Sequence, residues 1–274
     1  MKTSVKTILL PAILTMASFI ASCATQVADL RQSPDFTRDR IVTSGMVMGG
    51  YSAPRIDMKD IYNKLAQKTP DGNPAVKNIR EYFDVGHAEQ MSNMLMGAIK
   101  DAHADYPVLG AAALIQKMGK ADYQDFISEF FQASQPGEKW LGKIRGLNIG
   151  ARYLVMAREE LNSVNEKIHK KPAPGKGKDA PGVAHEGNEY TLEITRKMKV
   201  ALYIYDLESG LEVWSGKASR SKSFTSPQKV YAGSSSVGIK LESGNLLAKQ
   251  KPGPAKEVDI LPGIFSVLAD NMPK

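Results

Sequence analysis

Apolar positions recur along this chain in two periods, and each predicts an element. Met91, Met94, Leu95, Ala98, Ile99 and Ala102 sit at i, i+3, i+4, i+7, i+8 and i+11, one face of an amphipathic helix. Tyr123, Phe126, Ile127, Phe130 and Phe131 repeat the spacing up to the breaker Gln135-Pro136-Gly137, and Trp140, Leu141, Ile144 and Leu147 predict a shorter helix stopped near Gly146. The period then changes to two. Leu192, Ile194, Met198, Val200, Leu202 and Ile204 alternate with Thr191, Glu193, Thr195, Lys197 and Lys199, predicting a long strand buried on one face. Asp206-Leu207-Glu208-Ser209-Gly210 supplies a hairpin turn, and Leu211, Val213 and Trp214 start a returning strand that runs out in the Ser/Lys-rich stretch 219–226. Ala151 to Ala157 is apolar on both faces, which places it centrally in a sheet covered by helices.

Weaker patterns fill the intervals. Ile41 to Met48 is β-rich and ends at Gly49-Gly50, so it is read as the first strand. Ile56, Ile61 and Leu65 suggest a short helix before the turn cluster Pro70 to Pro74, Pro107 to Gly110 suits a short strand, and Ala111 to Ile115 fits helix and strand equally. Residues 231–251 read as loop with one edge strand, and Pro262 opens a terminal helix whose Ile264, Phe265, Val267 and Leu268 should dock on the sheet. The fold class is α/β (α+β): a mixed sheet with a long antiparallel hairpin, flanked by helices.

The N-terminus changes the picture. Lys2 and Lys6 precede an uncharged run from Thr7 to Ser22, the order of an export signal, and the run is shorter than the roughly 20 residues of a bilayer-spanning helix. It closes on Ile20-Ala21-Ser22-Cys23, which holds the only cysteine of the 274 residues. Small residues before a Cys resemble a bacterial lipoprotein signal, which implies cleavage between Ser22 and Cys23 and acylation of Cys23. Ala24 rather than Asp after the Cys implies, on the same resemblance, an outer-membrane address facing the periplasm. Residues 1–22 are thus the signal, 23–40 a polar lipidated tether, and 41–274 one globular domain with a breaker-rich insert at 170–187.

Loss of Lys2 and Lys6 lowers the formal net charge from +7 to +5, and no aromatic-basic interleaving is present, so nucleic acid is not an expected partner. Lys170, Lys171, Lys176 and Lys178 of the insert are candidates for contact with anionic headgroups, lipopolysaccharide or peptidoglycan carboxylates. Catalytic patterns fail one by one. Gly137 to Lys143 has P-loop spacing, but Ile144 stands where a magnesium-binding hydroxyl is needed. Gly233-Ser234-Ser235-Ser236-Val237-Gly238 has the wrong glycine spacing for a nucleophile elbow. Asp101, His103 and Asp105 would converge on an ion only past a helix end, and Glu159 and Glu160, adjacent on a strand, should face opposite sides. No metal site and no cofactor is expected. Tyr203, Tyr205 and Trp214 are the candidate protein-contact residues, unless the terminal helix covers them.

Gly150-Ala151-Arg152-Tyr153-Leu154-Val155, Tyr205-Asp206-Leu207-Glu208-Ser209-Gly210-Leu211-Glu212-Val213-Trp214 and the closing helix resemble stretches of periplasmic lipoproteins with the fold of the TolB N-terminal domain. That group includes the curli-secretion lipoprotein and the lipoprotein activators of penicillin-binding proteins. The resemblance implies a non-enzymatic, lipid-anchored accessory or assembly factor of the cell envelope that binds a protein partner. Its rivals are an envelope glycan or lipid hydrolase and a subunit of an oligomeric secretion ring. A membrane-inserted pore is disfavoured, because Lys or Arg on a lipid face costs about 2–4 kcal/mol at mid-bilayer.

Overall fold

The computed structural model describes residues 27–55, 79–172, 188–225, 230–232 and 253–274. Its strands are β1 (Val27–Gln32), β2 (Met46–Ser52), β3 (Val108–Leu109), β4 (Tyr153–Pro172), β5 (Asn188–Asp206), β6 (Glu212–Thr225) and β7 (Val230–Ala232). Its helices are α1 (Arg38–Ser44), α2 (Val85–Ala102), α3 (Ala111–Met118), α4 (Lys120–Ala133), α5 (Glu138–Gly146) and α6 (Leu261–Asp270). The strands form one sheet in the order β1-β6-β5-β4-β2-β3, and β7 pairs with the start of β5. β2 runs parallel to β3 and β4, and the β4-β5-β6 meander is antiparallel.

Strand register sorts the core into two layers. Tyr153, Val155 and Ala157 of β4 align with Ile204, Leu202, Val200, Trp214 and Ala218 on one face, under α2 and α6. Phe265 of α6 meets the Tyr51 ring edge-on there. Asp84 opens α2 by accepting the His87 backbone N–H at 2.7 Å, satisfying one of the free donors of a helix start. On the opposite face, Phe130 of α4 packs edge-on against both Tyr203 and Tyr205. Ser52 there donates to the Ile127 carbonyl at 2.6 Å. β2 has to pass beneath α4, and its irregularity at Gly50 allows it: φ is +145°, and an added Cβ would lie 2.5 Å from the Tyr123 hydroxyl oxygen.

The expected α2, α4, α5, β3, β5 and α6 are present, as are the central position of β4 and the turn at Gly210, where φ is +75°. Four expectations are corrected. The tether does not run to Arg40, because 27–32 is a strand paired with β6 and α1 starts at Arg38. Ile41 to Ser44 belongs to α1 rather than to the first strand, since Gly45 at φ +68° ends that helix and β2 begins at Met46. The insert begins later than Lys170, for Lys170, Lys171 and Pro172 pair with Tyr190, Glu189 and Asn188. The Ser/Lys-rich stretch continues β6 to Thr225, because β5 offers it a ladder from Lys199 to Glu193. Ala111 to Ile115 resolves as helix. The signal, Cys23, the 56–74 pattern and residues 233–250 lie outside the described residues.

Candidate functional site

Buried titratable side chains gather where β2, β4, β5, the start of α2 and the 3-10 turn Glu257–Asp259 meet. Strand parity puts Glu159 on the same face as Tyr153, Val155 and Ala157, and it is 2% exposed. The Tyr51 hydroxyl and the Asn162 amide each donate to its Oε2 at 3.2 Å. Asn162 also donates to Glu257 at 2.8 Å, and His87 Nε2 and Arg196 lie 3.5 and 3.7 Å from the Glu257 carboxylate. Burial pushes the Glu159 carboxyl up to about 8, with the charge of Glu257 adding to the shift and the two hydrogen bonds opposing it. Burial and the same two carboxylates hold Tyr51 well above the usual phenol range. At neutral pH Glu159 therefore keeps its proton, and the cluster pins the segment leading into α6 to the sheet.

Glu160, one residue on, faces the other way, as adjacent strand residues should. It takes Lys199 at 3.1 Å, Lys217 at 3.3 Å and Arg158 at 3.4 Å, and against its burial the two lysines hold it below the usual carboxylate range. The two glutamates do not form a shared site. Asp101, His103 and Asp105 do not converge either. His103 shares a 2.9 Å hydrogen bond with the Ala269 carbonyl and stacks on Tyr106, whereas Asp105 pairs with Arg38. His103 is thus buried. Among the described residues, no group of three or more His, Cys, Asp or Glu could hold a metal ion.

The three aromatic contact candidates are corrected outright. Tyr203 and Tyr205 lie beneath α4, and Trp214 is fully buried on the α6 face, so none offers a ring to a partner. Their alternation with Leu202 and Ile204 could have signalled this, since a strand apolar on both faces is covered on both. Of the candidate lysines, Lys170 is exposed at the end of β4, Lys171 is placed there by its backbone, and Lys176 and Lys178 fall outside the described residues. Lys143 of the P-loop-like stretch pairs with Asp122.

Sequence reasoning missed Tyr51, His87, Asn162, Arg196 and Glu257. Only the acid at a buried-parity position, Glu159, was there to be noticed. It also missed how two quoted motifs meet: Arg152 grips Asp206 through Nε at 3.2 Å and Nη2 at 2.7 Å, and the Leu207 N–H donates to the Arg152 carbonyl at 2.8 Å. A cleft of about 330 Å³ beside them is lined by Arg145, Gly150, Arg152 and Glu208. Among the described residues, no helix is long and apolar enough to cross a membrane.

No protein-family model and no curated protein matches the chain. Among solved structures it is similar to the PelC dodecamer from Paraburkholderia phytofirmans, at 12% identity over 91% of this chain and 99% of that one, with a TM-score of 0.33. It is also similar to lipoprotein GNA1162 from Neisseria meningitidis, at 12% identity over 75% of this chain and 96% of that one, with a TM-score of 0.27. Superpositions this loose carry no functional argument, and they give no support to a TolB-type assignment.

Proposed function

We propose that this chain is a lipid-anchored accessory or assembly factor of the bacterial cell envelope, held at the outer membrane facing the periplasm and acting by protein contact rather than turnover. The observation that carries the reading is the lone Cys23, closing an apolar run behind small residues only four positions before the first strand. Four residues reach at most about 14 Å when extended. An acyl group on Cys23 therefore keeps the folded part against its bilayer instead of letting it range through the periplasm. Growth with a clickable fatty-acid analogue, followed by membrane fractionation, tests the reading. Label should mark the wild-type chain in the outer-membrane fraction and be absent from Cys23→Ala; label retained by that variant sinks the anchor.

A further inference from the structure

β4, β5 and β6 continue beyond Glu160 as a three-stranded extension, residues 161–172, 188–199 and 219–225, whose first rows still meet the body: Asn162 and Arg196 at Glu257, Lys199 at Glu160 and Arg220 against Gly263 of α6. The extension holds eight lysines and arginines against three glutamates, and three of the eight, Arg196, Lys199 and Arg220, face the body, which leaves five lysines against three glutamates on the outer rows. Lys167, Lys170, Lys197 and Lys222 make no ion pair with a described carboxylate. Large apolar side chains accompany them: Ile168 is 56% exposed and Phe224 38%, and both register on the same face of the sheet.

The polarity of β1 says which way this end points. β1 is antiparallel to β6 with Val27 opposite Ala218, so the start of β1 is the end nearer Thr225 and the far end of the extension. The reach of about 14 Å from Val27 to Cys23 equals about four residues of strand. Four residues of β6 beyond Ala218 end at Lys222, which pairs through Arg196 with Val164, and that level bounds how far along the sheet Cys23 can lie from Val27. Lys167, Lys170, Ile168 and Phe224 all lie beyond that level.

We propose that the three-stranded extension is a second membrane attachment, which seats its basic end among the phosphate headgroups of an anionic bilayer beside the N-terminal anchor. Lysines supply the attraction to phosphate from both faces of the extension, Lys170 and Lys222 on the face of Ile168 and Phe224, which enter the interfacial layer, and Lys167 and Lys197 on the other. The charge stops deeper entry, because lysines in hydrocarbon are costly. Only the depth of seating rests on acylation of Cys23; the surface itself does not.

The test uses the full chain carrying Cys23→Ala, so that no acyl group takes part. Its partition is measured on phosphatidylcholine vesicles with and without about one third phosphatidylglycerol, a lipid mixture that supplies the surface charge at issue. Lys167→Gln, Lys197→Gln and Lys222→Gln are combined in one variant, and Lys100→Gln, Lys120→Gln and Lys274→Gln, the same charge change on the body, in another. At roughly fivefold per lysine, the first triple should cut the preference for anionic vesicles by about a hundredfold, while the second leaves it near the parent's. High salt should abolish the preference as well. Equal loss in both triples, no preference for anionic vesicles, or unaltered partition of the first triple overturns the proposal, as does preferential pelleting of the parent with purified peptidoglycan. A failed acylation of Cys23 in cells is a separate result, since no acyl group enters this measurement.

Discussion

At the scale of single residues, the fold stores a proton. Glu159 ionises near 4.5 as an ordinary glutamate but only near 8 in its buried position, so between those values the folded chain binds a proton that the unfolded chain has released. Stability contributed by protonated Glu159 is therefore complete below the unfolded value and declines as pH rises through the window, levelling above about 8. Each pH unit of the window is worth about 1.4 kcal/mol at most. Glu159→Gln, which keeps the shape and cannot ionise, should shrink the fall in unfolding free energy from about pH 5 to about pH 9 by about 2 kcal/mol or more. Urea melts of both proteins at the two pH values check it, and parallel pH profiles would remove the buried proton. Asp206 behaves in the opposite sense. Burial alone would raise it, yet Arg152 and the backbone N–H groups of Glu208 and Ser209 hold it below the usual range, so its contribution is present above the unfolded value and lost in acid.

At the scale of elements, what was legible is what carries its own period. α2, α4 and α5 each bury one face through residues spaced for it, β5 carries its period of two although both its faces are covered at Val200 to Tyr205, and α6 begins at a proline-marked start, so local sequence and tertiary placement agree. β1, the second half of β4 and the end of β6 were illegible because their state is lent by a neighbour. Ser219 to Thr225 has hardly an apolar residue besides Phe224, yet it completes a ladder along β5. The Glu159 cluster was illegible for a related reason: His87, Arg196 and Glu257 are brought together by topology, from positions far apart in the chain. A single glycine tests how tightly the elements fit. Gly50→Ala would adopt a φ of +145° and push its Cβ against Tyr123, which is fully buried. The cost should be about 3 kcal/mol, from combined backbone strain and overpacking. Thermal melts measure it, and a change within a few tenths of a kcal/mol would mean that β2 does not run beneath α4 as described.

At the scale of the whole molecule, the two attachments proposed for one end imply cooperation that depends on the length of chain between them. With about 14 Å of reach, an acyl group on Cys23 would keep the extension at its bilayer at a high effective concentration, so that a weak electrostatic contact would be occupied most of the time. Lengthening the link with about 20 Gly/Ser residues after Ala24 leaves the acyl group and every described contact in place but lets the folded part swing clear, on a coil of roughly 25 Å mean span. Fractionation should still find the lengthened protein in the membrane, so abundance there is the wrong readout. Trypsin cleavage within the extension of membrane-bound protein is the informative one. In low salt the parent should be cut more slowly than the lengthened variant, and raising the ionic strength should bring the two rates together as the lysines lose their hold on phosphate. Identical rates at low salt would show that the extension stands free of the surface and that its unpaired lysines have no mechanical role there.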